Sequence, residues 1–317
     1  MSSRFTLLCM TVPLLVLMTV SLPAGAANAV DAATQGAMPW WVWPLALFAV
    51  CFLMGIVAVP AGVGGGVLFV PIIGGFFPFH LDFVRGAGLL VALASALSAS
   101  PTLLRNGLAS LRLALPLGLL VSISSIAGAF IGLALPEPIA QTALGVTILA
   151  IVVLMWTAKR SEFPESRRND PLAMRLGLQG VFHDLVRGED VSWEAHRTLP
   201  GLIAFAFIGL LAGMFGLGAG WANGPVLNLV MGVPIKVAIG TSSLILSMAS
   251  SAAWVYINEG AVLSIIAVPS VIGMMLGAKI GARLLHVLSA QVVRRMVITL
   301  LLFAGVRALA KGLIGWM

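Results

Sequence analysis

The chain is laid out in long apolar blocks separated by short polar or glycine-rich breaks. An apolar run from Trp41 to Val59 ends at Pro60-Ala61-Gly62-Val63-Gly64-Gly65-Gly66, after which Val67 to Phe79 is apolar again. That pattern predicts a helix, an interruption and a second short arm, a hairpin dipping into a membrane. Three long helices are expected next, near Val84 to Leu104, Leu113 to Leu135 and Ile139 to Ala158. After a polar stretch the pattern starts again. A helix runs to about Met214, the chain breaks at Gly216-Leu217-Gly218-Ala219-Gly220, and a short arm reaches Val233. Helices near Val237 to Ile257, Ala261 to Leu284 and Ala290 to Leu309 complete the chain. A spanning helix needs about 20 apolar residues, so roughly eight to ten membrane segments fit.

Composition strengthens this reading. Hydrophobic residues make up 60% of the chain and charged residues 9%, too few polar groups to cover a soluble domain of this length. Lipid is therefore the expected solvent and partner, and the fold class is an all-α polytopic membrane protein. Residues 1–29 read as a signal peptide or an uncleaved first helix, with Arg4, an apolar run from Phe5 to Val20 and Ala27-Asn28-Ala29. Residues 41–158 form a first membrane repeat, 159–198 a loop and 199–312 a second repeat. The net charge of +7 does not mark a nucleic-acid partner, because acids and bases balance between Lys159 and Arg197. The remaining excess fits the positive-inside bias of membrane loops.

The two repeats align residue by residue. Placing Gly62 on Gly216 also places Gly64 on Gly218, Gly66 on Gly220, Pro71 on Pro225 and Gly86 on Gly240. Later in each half, Gly128-x-x-x-Gly132 and Gly277-x-x-x-Gly281 offer small faces where helices can approach closely. If the 159–198 loop is cytoplasmic, Arg105, Arg112, Lys236 and Arg283 fall inside, and Asp82, Glu137 and Glu259 outside. The region after the leader and the carboxyl terminus are then periplasmic. Each half holds five segments, an odd number, so the halves are inverted repeats, each a broken helical hairpin followed by three transmembrane helices. Inverted-repeat transporters bind substrate near the midplane at interrupted helices, which makes the two glycine breaks the expected site.

Gly62-Val63-Gly64-Gly65-Gly66 with Val70-Pro71, and Gly216-Leu217-Gly218-Ala219-Gly220 with Gly224-Pro225 and the run from Gly232 through Lys236 to Ser242, resemble the TauE/SafE family of sulfite exporters, also called toluene-sulfonate uptake permeases. The resemblance spans about residues 44 to 312. It implies a secondary transporter moving sulfite, a sulfonate or a related small organosulfur anion across the bacterial inner membrane, coupled to a proton or anion gradient. A homodimer is compatible with that plan. The sequence departs from symmetry where Arg85-Gly86-Ala87-Gly88 stands opposite Ile239-Gly240-Thr241-Ser242, so the hydroxyl pair occurs once. Asp184, Gly188, Val191 and Trp193 resemble an insertion found in some members.

An oxyanion needs hydrogen-bond donors, and backbone N–H groups at interrupted helix ends supply them. The expected substrate contacts are therefore Gly62, Gly64, Gly65, Gly66, Gly218 and Gly220, joined by Asn223, Thr241 and Ser242. Ser95, Ser98 and Ser100 line the matching helix of the first half, where packing or bonding to their own backbone is the simpler role. Arg85 either attracts an anion at the outer mouth or snorkels to the headgroups. The carboxylates Asp31, Asp82, Glu137 and Glu259 map near the outer surface, so a buried carboxylate relay is not expected. A coupled proton would travel on the cargo, since sulfite and hydrogensulfite interconvert near neutral pH. Cys9 and Cys51 and the four histidines lack metal-ligand spacing, no cofactor is implied, and no nucleophile–base set marks an enzyme. A channel on the same half-helices, or a carrier of non-sulfur carboxylates, is the competing reading.

Overall fold

The computed structural model describes residues 41–61, 64–77, 79–105, 107–157, 170–184, 189–284 and 290–314. The expectations for the 1–29 leader, for Gly62 and for residues 159–169 lie outside these. The first half contains α1 (Val42–Ala61), α2 (Gly65–Phe76), α3 (Leu81–Arg105), α4 (Leu111–Ala134) and α5 (Glu137–Thr157). A short helix α6 (Pro171–Leu176) and a hairpin of β1 (Gln179–Asp184) and β2 (Glu189–Glu194) follow. The second half contains α7 (Thr198–Phe215), α8 (Gly220–Pro225), a π-helical turn at Val226–Val230, α9 (Ile235–Ala249), a 3-10 turn at Ser250–Ala252, α10 (Ala253–Asn258), α11 (Ser264–Leu284) and α12 (Ala290–Ile314).

Among the described residues, six helical runs are long and apolar enough to cross a membrane. They are α3, α4, α5, α7, the run from Ile235 to Asn258, and Ser264–Gly281 within α11. Val42–Ala58 and α2 are shorter apolar helices. Large apolar side chains stand exposed along them, among them Leu53, Ile123, Trp156, Ile203 and Trp254. That surface is unfavourable against water and suited to lipid.

Glycine decides how the bundle closes, because without a hydrophobic drive in lipid the helices associate through close backbone packing. Helix α4 lies on α7 and α1 lies on α11. A methyl on Gly132 would come within 2.5 Å of the Met214 carbonyl, and methyls on Gly128 and Gly213 would strike the Leu210 and Ser125 carbonyls. In the other crossing a methyl on Gly281 would meet the Ile56 carbonyl at 2.7 Å, and one on Gly277 would strike that of Phe52. Both expected small-residue faces thus sit in crossings. Gly86 and Gly240, paired by the sequence alignment, also play matching parts. Gly86 abuts the Ala261 carbonyl before α11, and Gly240 abuts the Leu108 carbonyl before α4.

The central stretch carries structure that the sequence reading leaves as a loop. β1 and β2 pair antiparallel, with Gly180 opposite Trp193, and the buried indole packs over that glycine. The unit is tied to the second half at several points. The His196 N–H donates to the Met231 carbonyl (2.9 Å), and its ring presses on Gly232 just beyond the π turn. Asp170 accepts from the Thr198 N–H through Oδ2 (2.6 Å) and from Leu172 through Oδ1 (3.0 Å). The Thr198 bond is the main reason its carboxyl titrates below the usual range. That contribution is present above the ordinary carboxylate pKa and lost as pH falls through the lowered one. Asp170→Ala should cost about 1 kcal/mol as a lost helix cap. Protection of the Gln179–Asp184 amides, taken relative to the intrinsic exchange rate at each pH, should fall severalfold in the variant at neutral pH and in wild type on acidification. Unchanged protection would remove Asp170 as the tie.

Candidate functional site

The two glycine breaks meet. Gly64, immediately before α2, has φ 79° and ψ 149°, a region that only glycine occupies comfortably. Gly218, which the sequence alignment places opposite Gly64, has φ 69°. A methyl on Gly64 would stand 3.8 Å from the Gly220 Cα, and one on Gly66 would reach within 2.6 Å of the Leu217 carbonyl. The first arm leaves this junction as α2. The second leaves as α8, whose interior Pro225 has no N–H to donate, and runs on through the π turn.

A cavity of about 50 Å³ opens beside the junction, lined by Ala58, Gly64, Ser95, Ala96, Ala99, Leu103, Gly220, Ile239, Ser242, Ser243 and Leu246. By this measure a water needs about 10–15 Å³, so the space suits a few waters or one compact oxyanion. Its polar side chains are three hydroxyls, from Ser95 on α3 and Ser242 and Ser243 on α9, and no lining residue is ionisable. Ser95 accepts the Gly65 N–H at the start of α2 (3.2 Å) and donates to the Ala92 carbonyl (2.8 Å). It therefore ties one of the orphan donors of a helix start to the cavity wall. Ser98 bonds the Ala94 carbonyl of its own helix, the simpler role.

The sequence-expected contacts divide into groups. Gly64, Gly220 and Ser242 line the cavity, and Gly65, Gly66 and Gly218 form the adjoining backbone. Thr241 lies elsewhere. Its Oγ1 accepts the Ser110 N–H (3.1 Å), fastening α9 to the start of α4. Asn223 on α8 is fully buried, and among the described residues neither its Oδ1 nor its Nδ2 has a protein partner. Asn228 donates to the Val233 carbonyl and so closes the turn after the π segment (2.9 Å).

Arg85 neither snorkels nor opens on the mouth, because its side chain is 1% exposed. Nη1 donates to Asp82 Oδ1 (2.9 Å) and to the Gly132 carbonyl (3.0 Å). The pair belongs to a chain of polar contacts in which His80 meets Asp82 Oδ2 through Nδ1 (3.4 Å) and Glu137 Oε2 through Nε2 (3.3 Å). This cluster joins the starts of α3 and α5 to the end of α4. It is made by residues other than those lining the cavity.

Ser95 and Leu246 line the cavity although they are not among the sequence-expected contacts. Ser95 sits in a serine-rich helix whose hydroxyls look alike in one dimension, and it is distinguished only by facing the start of α2. Leu246 is one leucine among many.

Comparisons with known proteins place the chain among membrane transporters. A family model described as sulfite exporter TauE/SafE matches residues 47–308. A Bacillus subtilis (strain 168) protein named "Probable membrane transporter protein YunE" is 24% identical over 283 residues, covering 84% of this chain and 98% of that one. No solved structure matches. With its membrane-length helices and a family match over most of its length, the chain is a multi-pass membrane transporter and belongs to the TauE/SafE sulfite exporter family.

Proposed function

We propose that this chain is a secondary transporter carrying sulfite, a sulfonate or a related small organosulfur anion across the bacterial inner membrane. In this reading the halves are inverted, the 159–198 loop is cytoplasmic, and the glycine tips hold the cargo. The observation that carries it is the uncharged cavity at the tips, walled by three hydroxyls beside the start of α2. Neutral donors and the positive end of a helix stabilise an oxyanion, and Asn223 is the candidate amide contact nearby in the chain.

The same lining favours one charge state. The solvation cost of burying an ion grows with the square of its charge, so a dianion costs roughly four times what a monoanion does where no cation compensates. The protonated monoanion is then the transported form. Its proton crosses with it, and no protein carboxylate need act as a relay.

Proteoliposomes loaded with labelled sulfite test this. Saturable efflux is expected, rising as the loaded side is acidified from above to below neutral pH in step with the monoanion fraction. Non-saturating flux would favour the channel reading. Flux that follows the dianion, or flux of small carboxylates alone, would overturn the proposal.

A further inference from the structure

One side chain both lines the cavity and packs against the two glycine breaks. Leu246 on α9 is buried, and with Ala92 and Ala96 it forms a small apolar group apart from the main core. Its two methyls face the two glycine breaks. A methyl on Gly64 would come within 2.8 Å of Leu246 Cδ2, and one on Gly218 within 2.7 Å of Cδ1. The isobutyl group is therefore wedged at the junction of both tips while also lining the cavity. Ala92 bounds Gly218 and Gly66 from α3, each at 3.0 Å from a methyl placed there. With Ala92 on one side and glycine backbone on the other, little room remains for the leucine to swing aside.

We infer that Leu246 is the specificity-determining residue that limits cargo to compact oxyanions, those whose substituent on sulfur is about the size of a hydroxyl or methyl group. The inference rests on the transport reading above and narrows its substrate class. The reasoning is volumetric. A space of about 50 Å³ holds roughly three to five water positions at 10–15 Å³ each, enough for an oxyanion head and little more. Close-packed interiors resist added carbons, because overpacking forces side chains out of their rotamers. The remaining walls are Ala58, Ala96, Ala99, Leu103 and Ile239, which would accept an alkyl tail chemically if there were space. Size excludes the longer sulfonates, and polarity does not.

The test is competition against labelled sulfite in proteoliposomes by methane-, ethane-, propane- and butanesulfonate, which share a head group and charge. In wild type the inhibition constant should rise about tenfold or more between the one- and three-carbon members, since each misfit methylene is worth about 1–3 kcal/mol in a hydrophobic pocket. Leu246→Ala should bring that ratio close to one. Ala96→Val, which adds carbon to the facing wall, should raise it further. Should Leu246→Ala fail to fold, Leu246→Val provides the same readout with a smaller shift. A flat series in wild type, or a ratio within twofold of wild type in the Leu246 variants, overturns the assignment while leaving transport intact. Absence of sulfite flux in folded wild type overturns both.

Discussion

Alanine at Gly64 or at Gly218 is expected to lower reconstituted sulfite flux roughly tenfold or more while the protein still inserts and purifies as a single species. Two costs coincide at each position. A side chain at positive φ costs about 1–2 kcal/mol, and for Gly64 the combination φ 79°, ψ 149° lies close to a region that is essentially closed to other residues. The added methyl also meets Leu246 at 2.8 Å from Gly64 and 2.7 Å from Gly218, so the leucine or the tip must shift. Gly224→Ala supplies the contrast. It lies on the arm leaving the second break, yet a methyl there meets nothing within 4 Å, and flux should stay within about twofold, as for a substitution away from packing or strain. The result that would sink the argument is equal flux in all three variants, since the tips would then not need their special backbone.

Much of this architecture can be read one residue at a time, because lipid makes the rules simple. Apolar runs give the helices, and the Gly216–Gly220 break falls where α7 ends at Phe215 and α8 begins at Gly220. The glycines of Gly128-x-x-x-Gly132 and Gly277-x-x-x-Gly281 sit in the α4–α7 and α1–α11 crossings. A missing side chain is a local property with an immediate packing meaning.

Features decided by hydrogen bonds to distant groups were not legible. The run from Val237 to Ile257 reads as one helix, yet it tightens to a 3-10 turn at Ser250–Ala252. At that point Ser125 of α4 donates to the Ala249 carbonyl (2.6 Å), and Ser122 is bonded to Ser251 (2.6 Å). Side chains inserted into the backbone ladder are a recognised cause of such breaks. The β1–β2 hairpin was hidden for another reason, since a charge-balanced polar stretch between membrane halves carries little period to read. At the site, sequence could nominate serines and threonines but could not aim them. Thr241 and Ser242 are adjacent, and the helix turn between them sends one hydroxyl to Ser110 and places the other on the cavity wall.

Arg85 shows the same limit for charge, and its burial sets up the second large effect. Its carboxylate partner is Asp82, and among the described residues Nε and Nη2 have no protein partner. Breaking a buried ion pair by removing one partner costs about 3–5 kcal/mol, because the other charge is left uncompensated. Asp82 is 31% exposed, so solvent screening discounts the loss from Asp82→Asn to about 2 kcal/mol. Arg85→Met removes the charge and keeps much of the volume, so it should cost less than Asp82→Asn. The double variant should recover most of the loss, because no unpaired guanidinium remains. Thermal unfolding in lipid nanodiscs measures all three against wild type. An Asp82→Asn midpoint equal to wild type, or a double variant with the two losses simply added, would show that the pair is not coupled. With coupling shown, Arg85 would be a strut joining α3 to the end of α4, and the negative end of the α4 dipole at Gly132 would be part of what holds it.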